Sequence, residues 1–155
     1  MLKDFSPLLD EECFVGFQQE EEETDWVANG ILGARRGHPF LRACMRLTAD
    51  AFAETGVFLR SPAVTTAVLK SWGLREYGLQ KVGGVRVCPA EYFYPFPWYE
   101  KFSPGCVRES TYCVHHWEAS WLKSGHYKTR IPYRLIGRLA RSRLGRYLAD
   151  MKARA

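Results

Sequence analysis

Short strand and helix signals interleaved along 155 residues predict an α/β or α+β domain. Three observations carry that class. Cys13–Phe17 is a short apolar run with aromatic and β-branched members, the pattern of a buried strand. His38-Pro39 and Ser61-Pro62 each set a proline where a helix opens, with apolar residues at helical spacing behind it. Val85–Cys88 is a second strand-like run, ended by Pro89.

The elements follow in order. Residues 18–25 are polar and acidic, so they read as a loop with a solvated run of glutamates at 20–23. Pro39 opens the first helix, Phe40, Cys44, Leu47 and Ala51 recur along one face, and Gly56 is its stop. Ser61 is placed as an N-cap, with Pro62 in the first turn of a helix running to about Trp72. Residues 73–84 form a turn-rich connection, and 91–104, rich in proline and aromatics, an irregular segment packed on the body. A last strand is expected over 110–115. A helix is expected over 132–151, with Ile136, Ala140, Leu144, Tyr147, Leu148 and Met151 on one face and Arg134, Arg138, Arg141 and Lys152 opposite.

The formal charge of +5 is unevenly spread. Residues 122–155 hold ten Lys or Arg and one acid, while the preceding 121 residues hold twelve bases and sixteen acids. A mildly acidic body therefore carries a strongly basic tail, which argues for an electrostatic partner of the tail alone. Hydrophobic residues are 46% of the chain and charged residues 25%, a globular balance rather than a disordered one. Residues 1–10 contain no long apolar run of the signal-peptide kind, and no later run is long enough to span a bilayer. Five cysteines without a CxxC pair read as reduced, mostly buried thiols of a cytosolic protein.

Chemistry concentrates in YCVHHWEASW, residues 112–121. A strand ending in His115 would present an imidazole at a sheet edge, where sites of α/β folds form. Ser120 offers a hydroxyl, and Trp117 and Trp121 offer indole N–H donors on apolar plates. Such a set suits a metal-bound anion such as a diphosphate. The competing reading, core-edge histidines beside structural tryptophans, is the one composition alone favours. Zinc is a weaker reading, because Cys106, Cys113, His115 and His116 lack paired ligand spacing. Cys113 reads as a structural thiol rather than a nucleophile.

YCVHHWEASW resembles the C-terminal motif of glycosyltransferase family 32, the DXD-containing sugar transferases that include capsular-polysaccharide enzymes and yeast-type mannosyltransferases. LKDFSPLLDEECFVGFQ looks like the segment that follows the family's DXD strand. NGILGARRGHPFL looks like its Asn-containing stretch before the next helix, RSPAVTT like its Gly-Pro and Thr segment, and VCPAEYFYPFPW like its strand and tyrosine–proline segment. Together they cover residues 2–121 in the family's order; the tail is not covered.

The resemblance implies the C-terminal part of a GT-A-type fold, a mixed sheet flanked by helices, with a nucleotide-sugar donor and retention of configuration. It implies a divalent cation, Mn2+, with His115 as its C-terminal ligand, Ser120 and Trp121 at the β-phosphate, and Asn29 near the donor sugar. The acceptor would be a glycan or lipid-linked glycan. Residues 1–122 would be the C-terminal portion of the catalytic domain and 123–155 a basic amphipathic tail at an anionic membrane surface, giving a cytoplasmic protein at the inner face of the membrane.

Two departures stand out. Ser61 replaces the family's usual glycine before Pro62, and no DXD is present; Asp4 and Asp10, the acids nearest its expected place, do not form one. The chain therefore reads as the second half of a transferase, not expected to transfer sugar by itself. The alternative is a non-catalytic remnant or interaction module of the same fold. Nucleic-acid binding by the arginine-rich tail is disfavoured, because no recognised motif accompanies the charge.

Overall fold

The computed structural model describes residues 2–23 and 25–117. The expected tail helix over 132–151, the domain boundary at 122/123, Ser120 and Trp121 lie outside the described residues.

A four-residue helix, α1 (Ser6–Leu9), precedes strand β1 (Cys13–Phe17), whose bounds are those expected. Asp4 sits at its start, its carboxylate accepting from the Ser6 amide at 3.0 Å and the Ser6 hydroxyl at 2.9 Å. Strand β2 (Val27–Ala34) follows, then α2 (Pro39–Thr55), α3 (Ser61–Trp72), β3 (Gln80–Val82) and β4 (Val85–Cys88).

Both long helices form where their prolines predict. His38 caps α2, its Nδ1 accepting from the Phe40 amide at 3.2 Å, and Gly56 ends the helix in the left-handed conformation. Phe40, Ala43, Leu47 and Ala51 bury the stripe that periodicity predicts, while Cys44 is half-buried. The cap of α3 differs from expectation. Arg60 is its N-cap without a side-chain hydrogen bond, and Ser61 is already helical. Pro62 still lies in the first turn, where its missing N–H has no intrahelical partner to lose.

The four strands form one mixed sheet in the order β2-β1-β4-β3. β1 runs antiparallel to β2 and parallel to β4, and β3 is antiparallel to β4. The parallel β1–β4 pair needs a long crossover, which α2 and α3 supply. β3 was hidden in the turn-rich connection because it is only three residues long. Its signal was Gly83-Gly84, whose φ values of 56° and 81° are those of a two-residue hairpin turn.

The pleat of β1 divides the core. Cys13, Val15 and Phe17 join Val85 and Val87 of β4 against α2 and α3 on one face. Phe14 and Cys88 face the other way, into a cluster with Leu8, Ala28, Phe93, Tyr94 and Cys113. Among the described residues, long helices cover the first face of the sheet. Its second face is covered by α1 and by the chain beyond β4, which lays Phe5, Phe14, Phe93 and Tyr112 ring against ring.

The expected strand over 110–115 is not formed. Tyr112 and Cys113 both donate to the Tyr92 carbonyl, at 2.8 and 3.3 Å, and His115 donates to Phe93 at 2.9 Å. Their partners belong to a 3-10 turn, Ala90–Tyr92, and the residue after it. A turn does not offer the evenly spaced carbonyls of a ladder, so the segment crosses it as an irregular strap.

Candidate functional site

Strand β2 forms the floor of the site. Gly16 pairs with Ala28 but Phe14 pairs with Gly33, so β2 carries extra residues between those contacts. Asn29 and Gly30 lie in this irregular stretch, and bulges of this kind re-aim a strand beside a site.

The strap brings His115 onto Gly30. A Cβ added at Gly30 would stand 3.0 Å from His115 Cε1 and 3.2 Å from its Nδ1, and 3.3 Å from the Tyr94 hydroxyl. Gly30 is therefore a seat for the imidazole, and any side chain there would lift it. Tyr94 locks the seat from the side: its hydroxyl accepts from the Ile31 amide at 2.9 Å. Burial pushes the Tyr94 phenol up to about 12, so it stays protonated at neutral pH.

Two rings wall the imidazole. Tyr94 meets His115 edge-on at 5.4 Å between centroids, and Trp117 meets it perpendicularly at 4.9 Å. Burial, then the neighbouring His116, holds His115 below the ordinary histidine range. The imidazole is consequently neutral at pH 7, the form that can give a lone pair to a metal or accept a proton. His116 is exposed and packs edge-on against Phe102 at 5.3 Å, so the two histidines have different surroundings.

Trp117 corrects one sequence expectation. Its indole N–H donates to the Phe96 carbonyl at 2.9 Å, so that donor is occupied within the protein. Trp117 also adopts φ = 42°, the left-handed region that a bulky residue rarely takes. The hydrogen bond and the ring contacts to Tyr94 and His115 hold it there.

Of the predicted site residues, the structure brings His115 beside Gly30, the immediate neighbour of the half-buried Asn29. Tyr94 and Gly30 were not singled out, although the tyrosine–proline segment holding Tyr94 carries a recognisable pattern. Among the described residues there is no group of three His, Cys, Asp or Glu placed to hold a metal. These residues therefore do not make a Mn2+ site by themselves; His115 would supply one ligand. Burial raises the Cys113 thiol, which fits its reading as structural.

The structure thus places a neutral histidine, walled by aromatics, at a strand bulge of an α/β sheet, and comparison with known proteins identifies the class of the chain. Residues 33–143 match the model of the alpha 1,4-glycosyltransferase conserved region. The chain belongs to that glycosyltransferase family, as the family 32 resemblance anticipated. The match begins within β2 and runs past Trp121 into the tail. Among relatives, the chain is 32% identical over 107 residues to lactosylceramide 4-alpha-galactosyltransferase of Pongo pygmaeus, covering 61% of this chain and 49% of that protein. It is 31% identical over 107 residues to the Homo sapiens protein of the same name and 32% identical over 112 residues to that of Rattus norvegicus. In both cases 61% of this chain and 30% of the relative are covered. The chain thus spans half or less of the length of these relatives. No solved structure matches it.

Proposed function

We propose that this chain is part of a glycosyltransferase that moves a sugar from a nucleotide-sugar donor to a glycolipid or other lipid-linked glycan acceptor. The observation that carries this reading is the neutral His115 seated on Gly30 between Tyr94 and Trp117, within a region that matches a sugar-transferase family. The relatives are named for transfer to lactosylceramide, which supports a glycolipid acceptor. A GT-A architecture and retention of configuration belong to the proposal.

A departing nucleoside diphosphate gathers negative charge on its phosphates, and transfer is fastest where that charge meets positive or donor groups fixed in advance. In this reading His115 gives one nitrogen to a divalent cation, Mn2+, and Tyr94 and Gly30 hold the ring in place. Ser120 and Trp121 would contact the β-phosphate, and Asn29 would lie near the donor sugar. Mn2+ prefers oxygen ligands, so one imidazole would hold it weakly. The remaining ligands would come from carboxylates not found among the described residues, and no step is derived through the metal. Peripheral contact of residues 132–151 with an anionic membrane, at its cytoplasmic face, completes the proposal.

Two measurements test it. Mn2+ added with UDP-galactose or a GDP-sugar should broaden the His115 ring signals in NMR well before those of His38, and His115→Ala should abolish any Mn2+-dependent binding of the nucleotide sugar. Transfer is measured after joining the chain to the DXD-bearing half of a relative, with labelled sugar incorporated into lactosylceramide as the readout. His115→Ala should lower that transfer about 10²-fold and His116→Ala far less. Equal losses would remove His115 from the site. Absence of broadening and of transfer would favour an interaction module of the same fold.

A further inference from the structure

Trp98 and Tyr99 are 69% and 71% exposed, the largest exposed aromatics among the described residues. They lie at the tip of a turn closed by the Glu100 amide on the Pro97 carbonyl at 3.1 Å. Pro95 and Pro97 restrict the chain on the approach, so the tip is presented with little conformational freedom left to lose. The two rings stand 5.7 Å apart at 84°, an open corner rather than a closed stack. Exposing two large aromatics to water has a cost that a ligand would remove.

The corner is tied to the site. Phe96, two residues before Trp98, is buried, and its carbonyl receives the Trp117 indole N–H at 2.9 Å. Its ring packs edge-on against Phe102, and Phe102 against His116. Two residues of chain span at most about 7 Å, so the turn lies close to the residue that walls His115.

We infer that Trp98 and Tyr99 form an acceptor platform, binding a hexopyranose ring of the glycan acceptor by its C–H face. This deepens the transferase reading above and rests on it. A pyranose has one face of axial C–H groups and a rim of hydroxyls. Trp98 supplies the flat apolar plate for the face, and Tyr99, set perpendicular, meets the ring edge with a phenol that hydrogen-bonds hydroxyls. The adjacent Glu100 and Lys101 are both exposed, and they suit a hydroxyl rim rather than hydrocarbon. A membrane-interface role for the two aromatics is the rival. An acyl surface would need continuous apolar area, which Glu100 interrupts.

The test is saturation-transfer NMR on the 155-residue chain with lactose, without donor or metal, beside flotation with phosphatidylcholine and phosphatidylserine vesicles. Lactose should show transfer to its C–H protons. Trp98→Phe should retain the signal, while Trp98→Leu, apolar but without a plate, should weaken binding about tenfold. The exposed position makes all variants foldable, which their melting curves check. Binding to phosphatidylcholine vesicles that falls in Trp98→Leu, with no lactose binding by the wild-type chain, would overturn the platform in favour of a membrane contact. Equal lactose binding by wild type and Trp98→Leu, or none by either, would overturn it as well. Because no donor is present, loss of the transferase reading leaves these outcomes unchanged: Trp98-dependent lactose binding, with no transfer by the chain joined to a DXD-bearing half, would fail that reading alone.

Discussion

The Tyr94 hydroxyl accepts the Ile31 amide at 2.9 Å, joining the segment after β4, whose Phe93 carbonyl holds the His115 amide, to the irregular stretch of β2 on which His115 sits. One hydrogen bond thus fixes both the floor and the wall of the site. Tyr94→Phe would keep the ring and remove the acceptor. The Ile31 amide would lose its partner, which should cost about 1–3 kcal/mol in urea unfolding. The His115 ring signals should shift in the same variant, since the bulge they rest on is released.

Gly30→Ala tests the seat. The new methyl would press on Cε1 and Nδ1 of His115 at 3.0–3.2 Å, closer than ordinary contacts. His115 must rise or the bulge must yield, with an expected loss of about 1–3 kcal/mol. Donor-dependent effects at His115 should fall with it. An alanine variant as stable as the parent, with unmoved histidine signals, would show that the imidazole does not rest there.

Acid should loosen the fold through two histidines. Burial holds both His38 and His115 below the ordinary histidine value of about 6.5. The unfolded chain therefore binds more protons than the folded one just below that value. Their stabilising contribution is complete above pH 6.5 and is lost as pH falls through the folded-state values. For His38, burial acts beside a local contact: Nδ1 accepts from the Phe40 amide as the cap of α2, and a ring protonated at Nδ1 cannot accept. His38→Asn keeps a capping acceptor without a titration, so its stability should vary less with pH between 7 and 5.

Thiol accessibility should follow burial. Cys13, Cys44 and Cys88 are pushed up to about 12 by desolvation, so at neutral pH they are almost wholly protonated. Iodoacetamide under native conditions should modify them only after denaturant is added. Mass spectrometry of the labelled chain would locate the sites, and early labelling of Cys13 would contradict the buried β1 seen here.

What the sequence by itself determined was whatever depends on neighbours along the chain. β1 was legible because a strand buried on both faces reads as a continuous apolar run, and β4 because Val85 and Val87 alternate with Arg86 just before Pro89. α2 and α3 were legible because proline placement and helical spacing are local signals. His115 was picked out by the motif around it. β2 escaped because Asn29, Gly30 and Gly33 interrupt its apolar pattern; it is a strand through its pairing with β1. The segment at 110–115 alternates like a strand yet faces a turn, which gives it no ladder to join. The occupied Trp117 donor, the Tyr94 lock across 63 residues and the glycine beneath His115 exist only once distant segments meet. Glycine's fitness as a seat depends on what approaches it, and no pattern of neighbours encodes that approach.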